Sequence, residues 1–266
     1  MLKLIVSDLD GTLLERDRTE LPGEVYEWVP RLREKGIRFA IATGRQYFNA
    51  KSIARELSDD LYFLTEDGAM GHHGDRLRYR AKMDTGMEEE LIRDILKAPG
   101  AELWMDGTDL GYMTSKNLDF RRDVIVNGFA YKISDEPWKE LSNVVKISLI
   151  QYGSDSVLPE NLAFFREKYG THFEVMEAGN GWLDFIPPGE SKGKAVRFLM
   201  ERFGIRRDEV AVFGDSENDI SMFEHADFSY AMDTSAPHVK SSARYVIKDV
   251  VREVGKLLGA GRYGKA

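Results

Sequence analysis

Leu4-Ile5-Val6-Ser7-Asp8-Leu9-Asp10-Gly11-Thr12 is the stretch whose reading decides the architecture. Leu2 to Ser7 is apolar enough for a strand buried on both faces, and Gly11 lets the chain leave it sharply. Alternation then places Asp8 and Asp10 on one side of the strand's end and Leu9 on the other. Downstream, Val25, Trp28, Val29 and Leu32 recur at helical spacing, and Gly36 ends that helix. Ile37 to Ala42 predicts a second buried strand, followed by a helix through Ile53, Ala54 and Leu57. Leu61 to Leu64 predicts a third strand. This rhythm implies parallel strands with right-handed crossovers, hence an α/β fold with a Rossmann-like sheet covered on both faces.

The rhythm changes after the third strand. Residues 69–81 read as a hairpin turning near Gly74-Asp75. A helix through Met87, Leu91 and Ile95 follows, then strand-like runs at 101–106, 109–115 and 143–150, a helix near 160–169, and strands at 172–177 and 181–187. The α/β rhythm resumes after Pro187-Pro188, with an amphipathic helix over Lys194 to Phe203, a buried strand over Glu209 to Phe213 and a last helix near 249–258. The expected plan is therefore a discontinuous core, 1–82 and 188–266, carrying an inserted α+β unit at 83–187.

The chain has 266 residues, with 37 Lys plus Arg against 45 Asp plus Glu, a formal net charge of −8. That length suits one or two domains with a proper core. The acidic balance argues against nucleic acid and anionic membrane as partners. No run approaches the roughly 18 apolar residues of a membrane span, and Asp8 and Asp10 interrupt the first apolar run too early for a signal peptide. A cytoplasmic location is the expectation, as a monomer or weak homo-oligomer. Cysteine is absent, which excludes thiolate nucleophiles and cysteine-ligated metal sites.

Four features fall where α/β strands or helices begin or end: Asp8-Leu9-Asp10-Gly11-Thr12, Thr43-Gly44-Arg45, Lys192 within Gly189-Glu190-Ser191-Lys192-Gly193, and Gly214-Asp215-Ser216-Glu217-Asn218-Asp219. Open α/β sheets bind ligands beyond the carboxyl ends of their strands, so these distant segments can converge. Several carboxylates with little else suit a hard oxygen-loving cation such as Mg²⁺. A cation, a lysine and a threonine hydroxyl around one carboxylate nucleophile suit phosphoryl transfer. Hydrolysis of a phosphate monoester needs up to ~10²¹-fold acceleration, about 29 kcal/mol at ~1.36 kcal/mol per decade. A single general acid supplies about 3–5 kcal/mol of that, so a positioned nucleophile and preorganised positive charge must supply the rest.

Together these four motifs resemble the haloacid dehalogenase superfamily, and among its members the Cof-type phosphatases, whose class IIB α+β cap is inserted after the third core strand. The resemblance spans nearly the whole chain. It implies that Asp8 is the nucleophile that becomes aspartyl-phosphate, and that Asp10 protonates the leaving oxygen and then activates water. Thr43 would hydrogen-bond the phosphoryl group, and Lys192 would neutralise charge between nucleophile and phosphate. Mg²⁺ would be held by the Asp8 carboxylate, the Asp10 backbone carbonyl and the Asp215 carboxylate, with Asn218 and Asp219 in or just behind that shell. Gly11, Gly44 and Arg45 would contribute to phosphate or substrate binding, and the inserted unit to specificity. The implied reaction is hydrolysis of a small phosphorylated metabolite, with sugar phosphates the first choice. A phosphotransferase or phosphomutase on the same scaffold, or a non-catalytic phosphometabolite-binding regulator, are the alternatives.

Two departures stand out. Asp67-Gly68 replaces the family's frequent Asn-Gly, so Asp67 is expected to point away, pair with a cation such as Arg45, or contact a hydroxyl-rich leaving group. Ala231-Met232-Asp233-Thr234 replaces a frequent Ala-Met-Gly-Asn. Arg45 is either a phosphate contact or a surface arginine at a helix start. His72-His73 reads as loop at a hairpin turn rather than as a metal site. Trp104, Tyr112 and Phe120 read as core rather than pocket lining. Asp184 either faces the substrate or does not. Glu88-Glu89-Glu90 reads as a solvated first helical turn.

Overall fold

Five consecutive residues from Leu4 are buried, as a central parallel strand requires. The computed structural model describes residues 1–14, 20–114, 117–126, 129–179 and 181–259. In chain order the first elements are β1 (Leu4–Asp8), α1 (Gly23–Glu34), β2 (Arg38–Ala42), α2 (Tyr47–Ala54), β3 (Tyr62–Thr65), β4 (Met70–His73) and β5 (Arg76–Arg80). Then come α3 (Glu88–Ile95), β6 (Glu102–Gly107), β7 (Gly111–Met113), α4 (Leu118–Val126), β8 (Tyr131–Ile133), β9 (Val144–Ile150), α5 (Pro159–Tyr169), β10 (Glu174–Gly179) and β11 (Trp182–Ile186). The chain closes with α6 (Lys192–Phe203), β12 (Val210–Gly214), α7 (Ile220–Phe223), β13 (Phe228–Met232), α8 (Pro237–Ser242), β14 (Tyr245–Ile247) and α9 (Val250–Leu257).

Two compact units result. The first comprises Met1–Thr43, Ala50–Arg78 and Ser191–Ala266, the second Gly44–Asn49 and Tyr79–Glu190. Residues 44–49, which the sequence reading leaves with the core, cluster with the second unit.

The first sheet runs β14-β13-β12-β1-β2-β3-β4-β5, parallel from β14 through β3 and antiparallel between β3 and β4. The fold class is therefore α/β, as expected. Register explains how distant motifs meet. Asp8 pairs with Ala42, Ser7 with Phe213, and Ala42 with Leu64. Asp8, Thr43, Asp215 and the residues after Thr65 thus leave the sheet side by side at its carboxyl edge. Helix α1 turns Val25, Trp28, Val29 and Leu32 into the core, the face its 3.6-residue spacing dictates.

The second unit has a six-stranded sheet ordered β10-β11-β9-β6-β7-β8, antiparallel except between β7 and β8. Period-two alternation sorts its faces. Leu103, Met105, Ile147, Leu149, Leu183 and Phe185 form one core with Leu91, Ile92 and Ile95 of α3 and Phe165 and Tyr169 of α5. On the other face Trp104, Met113 and Ile150 pack with Phe120 and Val124 of α4. Trp104, Tyr112 and Phe120 are thus all buried in cores. Residues 44–49 join this unit through Gln46, whose side-chain amide donates to the Ala130 carbonyl and accepts from its N–H, both at 3.2 Å.

Some expectations change. The first strand starts at Leu4 rather than Leu2. His72 and His73 lie on β4, not in loop, because pairing with β3 continues to the Tyr62–His73 register; His73 stacks on Tyr62 at 4.2 Å between ring centroids. The run at 109–115 is shorter, Gly111–Met113, and position 115 lies outside the described residues. Glu88 is buried rather than solvated, its carboxylate accepting from the Thr85 N–H ahead of α3 at 2.5 Å.

Candidate active site

Lys192 enters the site because of its two neighbours. Ser191 caps α6, its hydroxyl accepting from the Lys194 N–H at 3.1 Å. Gly193 lies so close to the Ser221 carbonyl that any Cβ would collide with it. The helix start therefore sits deep, and Lys192, 2% exposed, donates to Asp8 Oδ1 and Asp219 Oδ1, each at 2.7 Å. Asp219 is fixed from the other side, its Oδ2 accepting from the backbone N–H groups of Asp215 at 2.9 Å and Ser216 at 3.0 Å. Asp215 Oδ1 accepts from the hydroxyls of Thr12 at 3.3 Å and Ser216 at 3.2 Å. Gly11, at φ +82°, is needed twice: its left-handed backbone suits glycine, and a Cβ there would lie 2.5 Å from Asp215 Oδ2.

The electrostatics follow from this crowding. Burial pushes the Asp8 carboxyl well above its usual range; Lys192 opposes the shift, while Asp219 and Asp215 add to it. Asp215 is raised in the same direction, by burial first and then by Asp219. Burial would lower Lys192, yet Asp219, Asp8 and Asp67 together hold it above its ordinary value, as an ammonium. Asp8, Asp215 and Asp219 each offer one carboxylate oxygen, all within 4.8 Å of one another. Asp8 Oδ2 is buried and has no hydrogen-bond donor among the described residues. Three crowded carboxylates with one ammonium and an unsatisfied oxygen fit a hard divalent cation, and Mg²⁺ suits an all-oxygen set.

The remaining expected residues fall into two groups. In the first unit, Asp10 is exposed in a tight turn where the Gly11 N–H bonds the Leu14 carbonyl at 2.8 Å. Thr43 is buried, its N–H donating to Leu64 O at 2.9 Å. Asn218 donates from Nδ2 to Asp67 Oδ1 at 2.9 Å, a partner for Asp67 that the sequence reading did not anticipate. Asp233 directly follows β13, beside Lys248 at 3.9 Å. In the second unit, Arg45 donates to Asn49 Oδ1 at 2.8 Å. The Gly44 carbonyl accepts from Lys146 Nζ at 2.7 Å. Asp184, 2% exposed, accepts from Ser148 at 2.7 Å and lies 3.3 Å from Lys146, which is 3.4 Å from Asp106.

Lys146 and Asp106 escape the sequence reading. Their signal is a charge placed inside an apolar strand, Val144-Val145-Lys146-Ile147 and Leu103-Trp104-Met105-Asp106; a lysine buried to 3% must have partners.

A family model for haloacid dehalogenase-like hydrolases matches residues 5–253. The chain belongs to that family. The expected resemblance to its Cof-type phosphatases stands, and so does the expected class of enzyme, a hydrolase. Similar members include 5-amino-6-(5-phospho-D-ribitylamino)uracil phosphatase of Escherichia coli, 28% identical over 247 residues, 92% of this chain and 90% of that one. Among solved structures, a haloacid dehalogenase-like hydrolase from Bacteroides thetaiotaomicron superposes with a TM-score of 0.83 at 21% identity, covering 97% of this chain and all of the other. A subclass IIB sugar phosphatase of the family superposes at 0.77, also 21% identical, covering 97% and 99%. At these identities the two structures speak for the fold alone. No helix among the described residues is long and apolar enough to cross a membrane.

Proposed function

We propose that the protein is a Mg²⁺-dependent phosphatase that hydrolyses a small phosphorylated metabolite, a sugar phosphate as first choice, through an aspartyl-phosphate on Asp8. The observation that carries this reading is the state of the Asp8 carboxylate. One oxygen is held by Lys192 at 2.7 Å, and the other is buried with no donor among the described residues. Burial raises the Asp8 carboxyl, the adjacent ammonium opposes that rise without cancelling it, and a bound cation would favour the charged form further, leaving a desolvated, oriented carboxylate as nucleophile.

Asp8 attacks phosphorus as the bond to the leaving oxygen breaks, and Asp10 gives that oxygen a proton. Water then attacks the aspartyl-phosphate while Asp10 takes its proton, releasing phosphate and restoring both carboxyl groups. Thr43 hydrogen-bonds the phosphoryl oxygens, and Lys192 offsets the charge that gathers between nucleophile and phosphate. Asp8, Asp215 and Asp219, with the Asp10 carbonyl, would hold Mg²⁺, which supplies charge neutralisation for the phosphoryl group. The inserted unit, with Gly44, Arg45 and Asp184, would select the leaving group. Phosphatases among the family's members support the reaction class.

The test is a screen of phosphorylated metabolites with Mg²⁺, read as released phosphate. Turnover of at least one small monoester, lost in Asp8→Asn, is expected. No turnover above that control on any of them would count against the proposal. Phosphate transferred to an acceptor sugar in preference to water would replace it with a phosphotransferase.

A further inference from the structure

The turn Glu66–Gly68 leaves β3 with three successive residues at positive φ: Glu66 at 52°, Asp67 at 54° and Gly68 at 95°. Backbone of this kind persists in non-glycine residues only where the surroundings over-determine it, and here three contacts do so. The Asp67 N–H donates to the Thr43 carbonyl at 3.2 Å. Gly68 lies against the Ser191 carbonyl, where any Cβ would collide. Asp67 Oδ1 accepts from Asn218 Nδ2 at 2.9 Å. This turn therefore touches the Thr43 loop, the start of α6 beside Lys192, and the turn Glu217–Asp219. Asp67 is 1% exposed, and both its Oδ2 and Asn218 Oδ1 are buried without a donor among the described residues.

We propose that Asp67 is a positioning residue that fixes the side-chain amide of Asn218, so that its carbonyl oxygen is the end available to a cation at the Asp8–Asp215–Asp219 group. A carboxylate only accepts, so the Asn218 amide must turn its NH₂ towards Asp67 and its oxygen away. An asparagine at position 67 would both donate and accept, and would tolerate either orientation. Asn218 lies in sequence between Asp215 and Asp219, in the same turn as Asp219, and its oxygen lacks a donor among the described residues. An acceptor left in that state is complementary to a positive ligand. The inference rests on the cation reading proposed above.

The experiment is calorimetric titration of the folded protein with Mg²⁺ alone, no substrate present, for wild type, Asp67→Asn, Asn218→Ala and the double variant. Loss of a residue that orients a ligand typically weakens metal binding 10–100-fold. Asp67→Asn is expected to weaken Mg²⁺ binding at least about tenfold in the wild-type background, and by far less once Asn218 is alanine. The same factor in both backgrounds means that Asp67 acts by charge alone and overturns the proposal. So does an affinity loss that parallels the loss of folded protein in urea titrations of the same samples. Asp67→Ser, which also donates, carries the same expectation should Asp67→Asn fail to fold. Wild type that binds no Mg²⁺ overturns both this inference and the cation reading; wild type that binds it while Asp67→Asn is unchanged overturns this inference alone.

Discussion

Replacing Lys192 with methionine keeps the length of the side chain and removes its charge. Two contacts at 2.7 Å are lost, to Asp8 and Asp219. At an effective dielectric of about 20, each corresponds to roughly 6 kcal/mol of gross attraction. Most of that is offset by the cost of burying the ammonium, and breaking one side of a buried pair costs about 3–5 kcal/mol net. The deficit depends on pH in a defined sense. Asp8 is already raised by burial, and Lys192 is what opposes the rise, so in Lys192→Met the folded-state pKa climbs further above the unfolded one. A raised carboxyl contributes stability below its unfolded pKa and loses it as pH rises through the folded one. Urea unfolding of wild type and variant, followed by circular dichroism with EDTA at pH 8 and pH 5, should show the larger deficit at pH 8. Mg²⁺ at a hundred times its Kd should restore up to about 2.7 kcal/mol. A deficit under about 1 kcal/mol at pH 8, or one equal at both pH values, would refute the reasoning.

Gly193→Ala should gain about 1 kcal/mol in helix propensity and still lose stability, by about 2–3 kcal/mol, because its Cβ meets the Ser221 carbonyl; a melting temperature equal to or above wild type would contradict the packing argument. His72 is buried, and burial, the largest cause, pulls its pKa down to about 4, helped by Lys51 and opposed by Asp75. The unfolded chain therefore binds the extra proton between about pH 6.5 and 4, and stability falls by up to about 3 kcal/mol as pH drops through that window. His72→Gln should flatten the stability profile there, and an unchanged slope would show that burial of this ring is not its source.

The core was readable because its signals are local. Leu4 to Asp8 announces a central strand by itself, and Ser191-Lys192-Gly193 holds cap, charge and close approach within three residues. What escaped depends on partners distant in sequence. Nothing near Asp67 announces Asn218, 151 positions away, and the left-handed turn that joins them is invisible to periodicity. The Lys146 cluster brings together β6, β9 and β11, so its members look like misplaced charges until the register is known. The short strands β13 and β14 and helix α4 also went unread. β14 is three residues long with two of them exposed, and α4 leaves Leu118, Ile125 and Val126 exposed, which blurs its apolar stripe. His72 and His73 misled in the other direction: polar residues beside a glycine turn read as loop, whereas pairing to β3 and stacking on Tyr62 make them strand.

The membership of residues 44–49 in the second unit bears on how this protein can be re-engineered. Swapping or deleting the inserted module by cutting only at its two connections, 78/79 and 190/191, would strand six residues. Gly44 would lose Lys146, and Gln46 would lose the Ala130 backbone groups that satisfy its amide. A chimera is better drawn as a two-piece exchange that carries 44–49 along with 79–190, with two further junctions at 43/44 and 49/50.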